Sequence, residues 1–301
     1  MAVATFPKVN RIRLLAKVCR HRFERFAREF WSCVPGAGEV IWNWHMSLMC
    51  QELQTAAERV FVGEEVQYDL VFNVPFGTSK STLISILFPA WTWTRMPNAR
   101  HISATHTQSL ALDLASKSKT VITCEKYKNL FPGIVLSRDT DAYFTNWYGG
   151  DRLTCTVGGK TPTGFHAHFL GVDDPIDPQG ARSEAELENS AKFMTEVLPS
   201  RKTNKSVSLT TLVMQRLHYR DPTAIMLETG RKEGAIPVRH VNLPGEVRTF
   251  SRDSVNPPIS ELRERFPLHG VYDNDLLDPL RLPWRVLGNY SANLGAYGYA
   301  G

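Results

Sequence analysis

One stretch constrains the fold of this chain more than any other. An apolar run over residues 68–74 leads into Pro75-Phe76-Gly77-Thr78-Ser79, then Lys80-Ser81-Thr82, then a second apolar run from Leu83 to Leu87. The first run reads as a buried strand and the second as the opening turns of a helix. Strand, small-residue loop, Lys-Ser, helix is a layout in which backbone N–H groups and a helix N-terminus face an anion. On that reading Pro75, Phe76, Gly77, Thr78, Ser79, Lys80, Ser81 and Thr82 cradle the phosphates of a nucleotide. Lys80 reaches the β- and γ-phosphates, and Ser81 ligates Mg2+ through its hydroxyl. The usual pattern places glycine at positions 74 and 79, where this chain has Val74 and Ser79. For the loop taken alone, an ordinary strand-to-helix turn carrying a lysine is the alternative.

Two further segments bear on that choice. His168 to Val172 is a short apolar strand that ends in Asp173-Asp174-Pro175. A carboxylate at such a strand tip can hold Mg2+, and its neighbour can orient an attacking water. Asp-Asp-Pro is also a good turn or helix start. The third segment is a strand over 206–211 that ends in Thr210 and Thr211, followed by Met214-Gln215-Arg216-Leu217-His218. Polar groups there can hydrogen-bond a γ-phosphate and report its loss, or they are a routinely exposed strand end.

The rest of the chain supplies a frame for these segments. Apolar spacing predicts a helix from about Trp42 to Val60, and one after Lys80 that Pro89 bends or ends. Further helices are expected over about Thr107–Lys128 and Ser183–Leu198. Strands are expected over 100–104, 143–147, 152–157 and 238–243. Strands alternating with helices imply a mostly parallel α/β sheet covered on both faces, with ligands at the carboxyl ends of its strands. After Leu243 the chain becomes proline-rich (Pro244, Pro257, Pro258, Pro267, Pro279, Pro283) and reads as a lid or linker. No closing helix or strand is expected at the end, which suggests a piece excised from a longer protein.

Between Lys8 and Arg28 there are eight Lys or Arg residues and one acid, Glu24. With apolar residues at helical spacing up to Phe30-Trp31, this reads as one docked amphipathic helix with a basic outer face. A transit peptide or a nucleic-acid-binding or partner-binding arm are the alternatives. A net charge of +5 and a pI near 8.9 are consistent with a polyanionic partner. Apolar runs are too short to span a bilayer. Five scattered cysteines with no C-x-x-C pair argue against a disulfide scaffold and a structural zinc site, and fit a reducing cytosol.

Taken together, Asn73 to Ser81, Asp173-Asp174-Pro175 and Met214 to His218, in this order and spacing, resemble the ATPase half of a bacteriophage or prophage terminase large subunit. Trp44-His45 and the closing Tyr299-Ala300-Gly301 resemble further landmarks of that family. The resemblance implies a P-loop NTPase fold of the RecA/helicase-like kind. Residues 1–60 would be an N-terminal helical segment and 61–245 the ATPase core. Residues 246–301 would be a lid or linker leading toward a nuclease domain outside this chain, so nuclease activity is not expected. It implies ATP and Mg2+ as cofactors. Its partners would be double-stranded DNA, a portal protein, a small terminase subunit and further copies of the chain in a ring, without a membrane. The setting would be the cytoplasm of a host bacterium, at the procapsid portal.

By the same resemblance Lys80, Asp174 and Gln215 are catalytic, Ser81 and Asp173 hold the metal, and Thr210, Thr211, Gln215 and Arg216 couple hydrolysis to movement. Trp44 and His45 fall in a segment associated with adenine. Three departures stand out. Phe76 replaces a common second proline, Asp174 is shorter than the usual Glu, and the segment from Thr163 to His168 lacks an arginine. Arg152, Arg182 or Arg216 could supply the cation that stabilises the transferring phosphate; without one, the isolated domain is expected to be a slow ATPase. The alternatives are another nucleic-acid-dependent ATPase such as a helicase, or a nucleotide-binding assembly module with weak or no turnover.

Overall fold

The computed structural model describes residues 8–159, 163–248 and 251–299. Three helices come first: α1 (Lys8–His21), α2 (Phe23–Phe30) and α3 (Trp44–Phe61). Strand β1 (Asp69–Asn73) leads through the Pro75–Ser79 loop into a π-helical turn, Thr82–Leu87, which runs on into α4 (Phe88–Arg95). Then follow β2 (Arg100–Thr105), α5 (Gln108–Thr123), α6 (Glu125–Leu130) and an edge hairpin system, β3 (Leu136–Asp139), β4 (Tyr143–Asn146) and β5 (Asp151–Thr156). After β6 (Phe169–Asp173) come α7 (Glu184–Lys192), β7 (Leu209–Met214), α8 (Pro222–Thr229), β8 (Val238–Asn242), α9 (Ile259–Arg265) and α10 (Trp284–Tyr299).

The eight strands form one sheet in the order β3-β4-β5-β2-β6-β7-β1-β8. From β5 to β8 every pairing is parallel, and β4 alone runs against the others, pairing antiparallel with both β3 and β5. Strand β7 lies between the loop strand β1 and the acidic strand β6. Register pairs Asn73 with Met214 and Asp173 with Val213, so the loop and the acidic tip leave the sheet at one edge. The result is a mostly parallel α/β sheet flanked by helices, as the alternation of strands and helices predicts.

Both faces of the sheet are covered, as a parallel sheet requires. One face carries an aromatic-rich core in which Phe23, Phe26, Phe30, Trp44, Phe88, Trp91, Trp93 and Tyr127 are fully or almost fully buried. The other face is aliphatic, with Ile102, Leu170, Val172, Leu212 and Met214 under Phe193 and Met194. The N-terminal helices therefore belong to the same core as the loop strand. Phe23, Phe26, Ala27 and Phe30 of α2 are buried, whereas α1 is mostly exposed and buries Cys19.

Several expectations are corrected. The N-terminal helix is broken at Arg22 (φ −132°, ψ 104°), and the Gln54 side chain accepts the Phe23 N–H at 2.8 Å. The break turns the Phe23-Phe26-Phe30 face inward while leaving the basic α1 outside. The helix expected over 107–128 is split at extended Cys124 (φ −66°, ψ 152°). Pro89 ends nothing: it sits in the first turn of α4, where the preceding π turn admits a residue without an N–H. Strand β3 was not foreseen because its Ser137, Arg138 and Asp139 are exposed and carry no apolar pattern.

Strand β7 runs to Met214 rather than stopping at Thr211, because it is buried on both faces and its Leu212-Val213-Met214 tail is apolar. The proline-rich stretch is followed by a real helix, α10, contrary to the expectation that nothing closes the chain. That helix reaches the loop: the Tyr290 ring stands edge-on to Phe76 with centroids 4.2 Å apart. No described helix is long and apolar enough to cross a membrane. The closing Ala300-Gly301 lies outside the described residues.

Candidate nucleotide site

The loop owes its shape to two left-handed residues, Gly77 (φ 74°) and Ser79 (φ 66°). The second explains why glycine is usual at position 79, and shows that this chain makes the same turn with serine at a strain of about 1 kcal/mol. Position 74 needs no glycine: Val74 is buried, and its N–H continues the sheet to the Met214 carbonyl. Thr78 is turned inward, its hydroxyl donating to the Pro75 carbonyl at 2.5 Å. His45 supports the loop from below, its Nε2 3.1 Å from the Thr78 carbonyl. Burial pushes the His45 imidazole down to about 4, opposed by that hydrogen bond.

Lys80, Ser81, Asp173 and Asp174 converge. Lys80 Nζ donates to Asp174 Oδ1 at 2.8 Å, in an ion pair whose lysine is buried. The Ser81 hydroxyl donates to Asp173 Oδ1 at 3.0 Å, and the Ser85 hydroxyl to Oδ2 at 2.6 Å. Burial raises the Asp173 carboxyl to about 6; the Asp174 charge adds to this, and Ser85, Lys80 and Ser81 oppose it. Asp174 itself adopts φ 44°, with its N–H on the Val213 carbonyl and its carbonyl accepting from the His106 N–H at 3.3 Å. That left-handed turn at the strand end sends consecutive carboxylates to different partners, Asp173 to the serines and Asp174 to the lysine.

These groups fit a magnesium nucleotide. A serine hydroxyl and a carboxylate are hard oxygen ligands, the kind Mg2+ takes beside its own waters. The buried ammonium stands where it can exchange Asp174 for a phosphate, next to a loop whose left-handed residues turn the backbone around it. Ser81, Asp173 and, through Asp173, Ser85 are the residues that would hold the metal.

The other sequence candidates are more dispersed. Trp44 is fully buried against Tyr272 and Phe266, with no surface to offer a base. Thr210 and Thr211 lie inside β7, opposite Leu170 and Gly171, and not at the edge that carries Lys80. The Thr210 N–H binds Asp69 at 2.7 Å, near the amino ends of the strands. Gln215 and Arg216 follow β7 at the correct edge, and Arg216 Nε donates to buried Asp221 Oδ2 at 2.9 Å. Arg182 is exposed on a turn after the acidic strand. Arg152 is 1% exposed and lies within the core, so it cannot reach a neighbouring subunit. Phe76 and Thr82 are half-buried.

Two residues at this edge escaped the sequence reading. Ser85 is one, and its signal was present: a serine four positions after Ser81 inside an apolar helix start. His240 is the other, bridged to Asn73 of the loop motif. The Asn73 amide donates to the Met214 carbonyl and the Thr223 hydroxyl, and its oxygen accepts from His240 Nε2 at 2.7 Å. No local pattern announces a bridge between residues so distant in sequence. A cavity of about 530 Å3 opens elsewhere, at the amino ends of the strands, over the Asp69–Lys202 ion pair.

No protein-family model matches the chain, and no curated protein matches its sequence. Solved structures resemble its fold. The HK97 bacteriophage large terminase aligns over 83% of this chain and 50% of its own, at 10% identity and TM-score 0.47. The ATPase domain of the Thermus phage P74-26 large terminase, a mutant form, aligns over 72% of this chain and 88% of its own, at 11% identity and TM-score 0.41. A hypothetical ATP-dependent RNA helicase from Sulfolobus tokodaii aligns over 90% and 80%, at 10% identity and TM-score 0.38. The chain spans about half the length of the HK97 terminase.

Proposed function

We propose that this chain is the ATPase motor domain of a terminase large subunit, hydrolysing ATP to drive double-stranded DNA into a procapsid. The observation that carries the ATPase reading is the meeting of Lys80, Ser81, Asp173 and Asp174 at one edge of a mostly parallel sheet. The packaging role rests on the motif trio and its likeness to terminases. On this reading residues 1–60 are the helical segment, 61–245 the ATPase core and 246–301 the lid or linker. DNA, a portal protein, a small terminase subunit and further copies in a ring are the partners.

The chemistry asked of each residue follows from its place. Lys80 leaves Asp174 to neutralise the β- and γ-phosphate oxygens. Asp174, released from the lysine, accepts a proton from the attacking water or orients it. Ser81 and Asp173 would hold Mg2+, which would supply charge neutralisation at the phosphates. Gln215, at the same edge, senses the γ-phosphate. Arg182, exposed on the turn that follows the acidic strand, is the candidate for acting across a subunit boundary.

Purified protein is expected to bind and hydrolyse ATP in the presence of Mg2+. Lys80→Ala is expected to weaken nucleotide binding by about tenfold or more, the loss of one charge-assisted hydrogen bond of about 1.5–3 kcal/mol, with an unchanged circular dichroism spectrum. Binding measured by calorimetry with wild-type affinity in Lys80→Ala would remove Lys80 from the site. Strand separation by the isolated chain would favour the helicase alternative, and tight binding without turnover, even with DNA and portal present, the assembly-module alternative.

A further inference from the structure

We propose that Arg152 is a positioning residue that acts from beneath the phosphate loop, holding the Ser85 turn in the geometry that aims Ser85 and Ser81 at Asp173. The inference rests on reading Asp173 as the metal carboxylate. It gives Arg152 a role quite different from that of an arginine reaching across a subunit boundary.

The geometry is a two-bond relay through one residue. Arg152 projects from β5, and its Nη2 donates to the Ser85 carbonyl at 2.7 Å. The Ser85 hydroxyl donates in turn to Asp173 Oδ2 at 2.6 Å. In an α-helix the Ser85 carbonyl would take the N–H of residue 89, which is Pro89 and has none. The local helix is π-helical from Thr82 to Leu87, with the Phe88 N–H on the Leu83 carbonyl five residues back. A π turn shifts the phase of the side chains that follow it, and such turns are frequent at functional sites. Here Ser81 and Ser85 both face Asp173, one on each carboxylate oxygen.

A purely structural explanation of Arg152 meets two difficulties. A buried guanidinium is costly to maintain, and an apolar side chain of similar volume would ordinarily replace it at no loss. Moreover Nε and Nη1 have no hydrogen-bond partner among the described residues, although the side chain is fully enclosed. The nearby charge is Asp173, which counteracts the effect of burial on the guanidinium. Arg152 is therefore kept where one of its donors fixes the Ser85 backbone and its charge lies behind the Asp173 carboxylate.

The test separates metal-dependent from metal-independent nucleotide binding. A fluorescent ATP analogue is titrated into the protein with Mg2+ and with EDTA, and the ratio of the two affinities is read. In Arg152→Met the metal-free affinity is expected to stay within about twofold, while the tightening by Mg2+ falls by about tenfold, as for other residues that orient a metal ligand. Ser85→Ala is expected to show the same selective loss, and combining it with Arg152→Met to add little, since both act along one line. Arg152→Lys, which keeps a charge and a donor, is expected to recover part of the tightening. A folded Arg152→Met that keeps the full Mg2+ effect overturns the proposal. So does one that loses both affinities equally, as general damage to the core would cause. If Arg152→Met does not fold, Ser85→Ala decides by the same ratio. Wild-type protein that binds no nucleotide removes the reading of the site, and this inference with it.

Discussion

Asp173→Asn is expected to reduce ATP turnover by about three orders of magnitude or more while making the nucleotide-free protein more stable. The first effect follows from the proposed metal role, since losing the ligand removes several kcal/mol of charge stabilisation from the transition state. The second follows from the geometry around the carboxylate. Asp173 is fully buried, sits beside a second carboxylate, and has its carboxyl raised to about 6. A carboxyl raised in the folded state opposes folding when it is ionised at neutral pH, and each tenfold weakening of its acidity costs about 1.4 kcal/mol. An amide keeps one oxygen for one of the two serine hydroxyls and offers its NH2 to the other, which turns to accept; it removes the desolvated charge and its repulsion with Asp174, a gain larger than the loss of the charge near Arg152. Thermal melts at pH 7.5 without nucleotide, run beside a phosphate-release assay, check both halves. A variant that loses activity together with stability would show a carboxylate that serves the fold. One that retains activity would show that the metal is held elsewhere.

The legibility of the chain followed the distance over which its signals act. The loop, the acidic strand tip and the alternation of strands and helices are local patterns, and each could be read directly from residue order. Their convergence was inferred from that alternation, and Lys80, Ser81, Asp173 and Asp174 do meet. Signals of side-chain type without register were misleading. Thr210 and Thr211 looked like a strand end, but three apolar residues carry β7 onward and leave them in its interior. Trp44 looked available to a base, but its ring fills the aromatic core with Tyr272, far along the chain. The π turn was invisible for a different reason. It arises from a proline one turn downstream and a buried arginine on another strand, and no sequence window contains both. The Asn73–His240 bridge is of the same kind. What escaped notice are contacts made by tertiary packing, and they surround the groups that local pattern revealed.

Acidification is expected to destabilise the nucleotide-free protein gradually between pH 6.5 and about 4.5. Four buried or half-buried histidines are held neutral, among them His168, lowered by burial and then by the Arg100 charge. Burial pushes His45 down to about 4. Burial, then the Arg216 charge, lowers His240 to about 4. His101 is driven well below the usual range by burial, and further by the charges of Arg152 and His168. In the unfolded chain each returns to about 6.5. Between those values the unfolded state binds the protons, so the stabilisation is fully present above about pH 6.5 and is lost as pH falls toward the folded values. Each histidine costs about 1.4 kcal/mol per pH unit across that window. Asp173, Asp69 and Asp151 work in the opposite sense, because burial raises their carboxyls and each takes up a proton in the folded state as pH falls, Asp173 through about 6. Four against three leaves a net loss of about 1.4 kcal/mol per pH unit, against a typical stability of about 5–15 kcal/mol. His45→Gln provides an internal control. Its amide N–H can donate to the Thr78 carbonyl that His45 Nε2 contacts, and it does not titrate. Urea unfolding at half-unit pH steps should therefore show a slope shallower by about 1.4 kcal/mol per pH unit in that variant. Identical slopes in the two proteins would mean that the His45 imidazole reaches water before the chain unfolds.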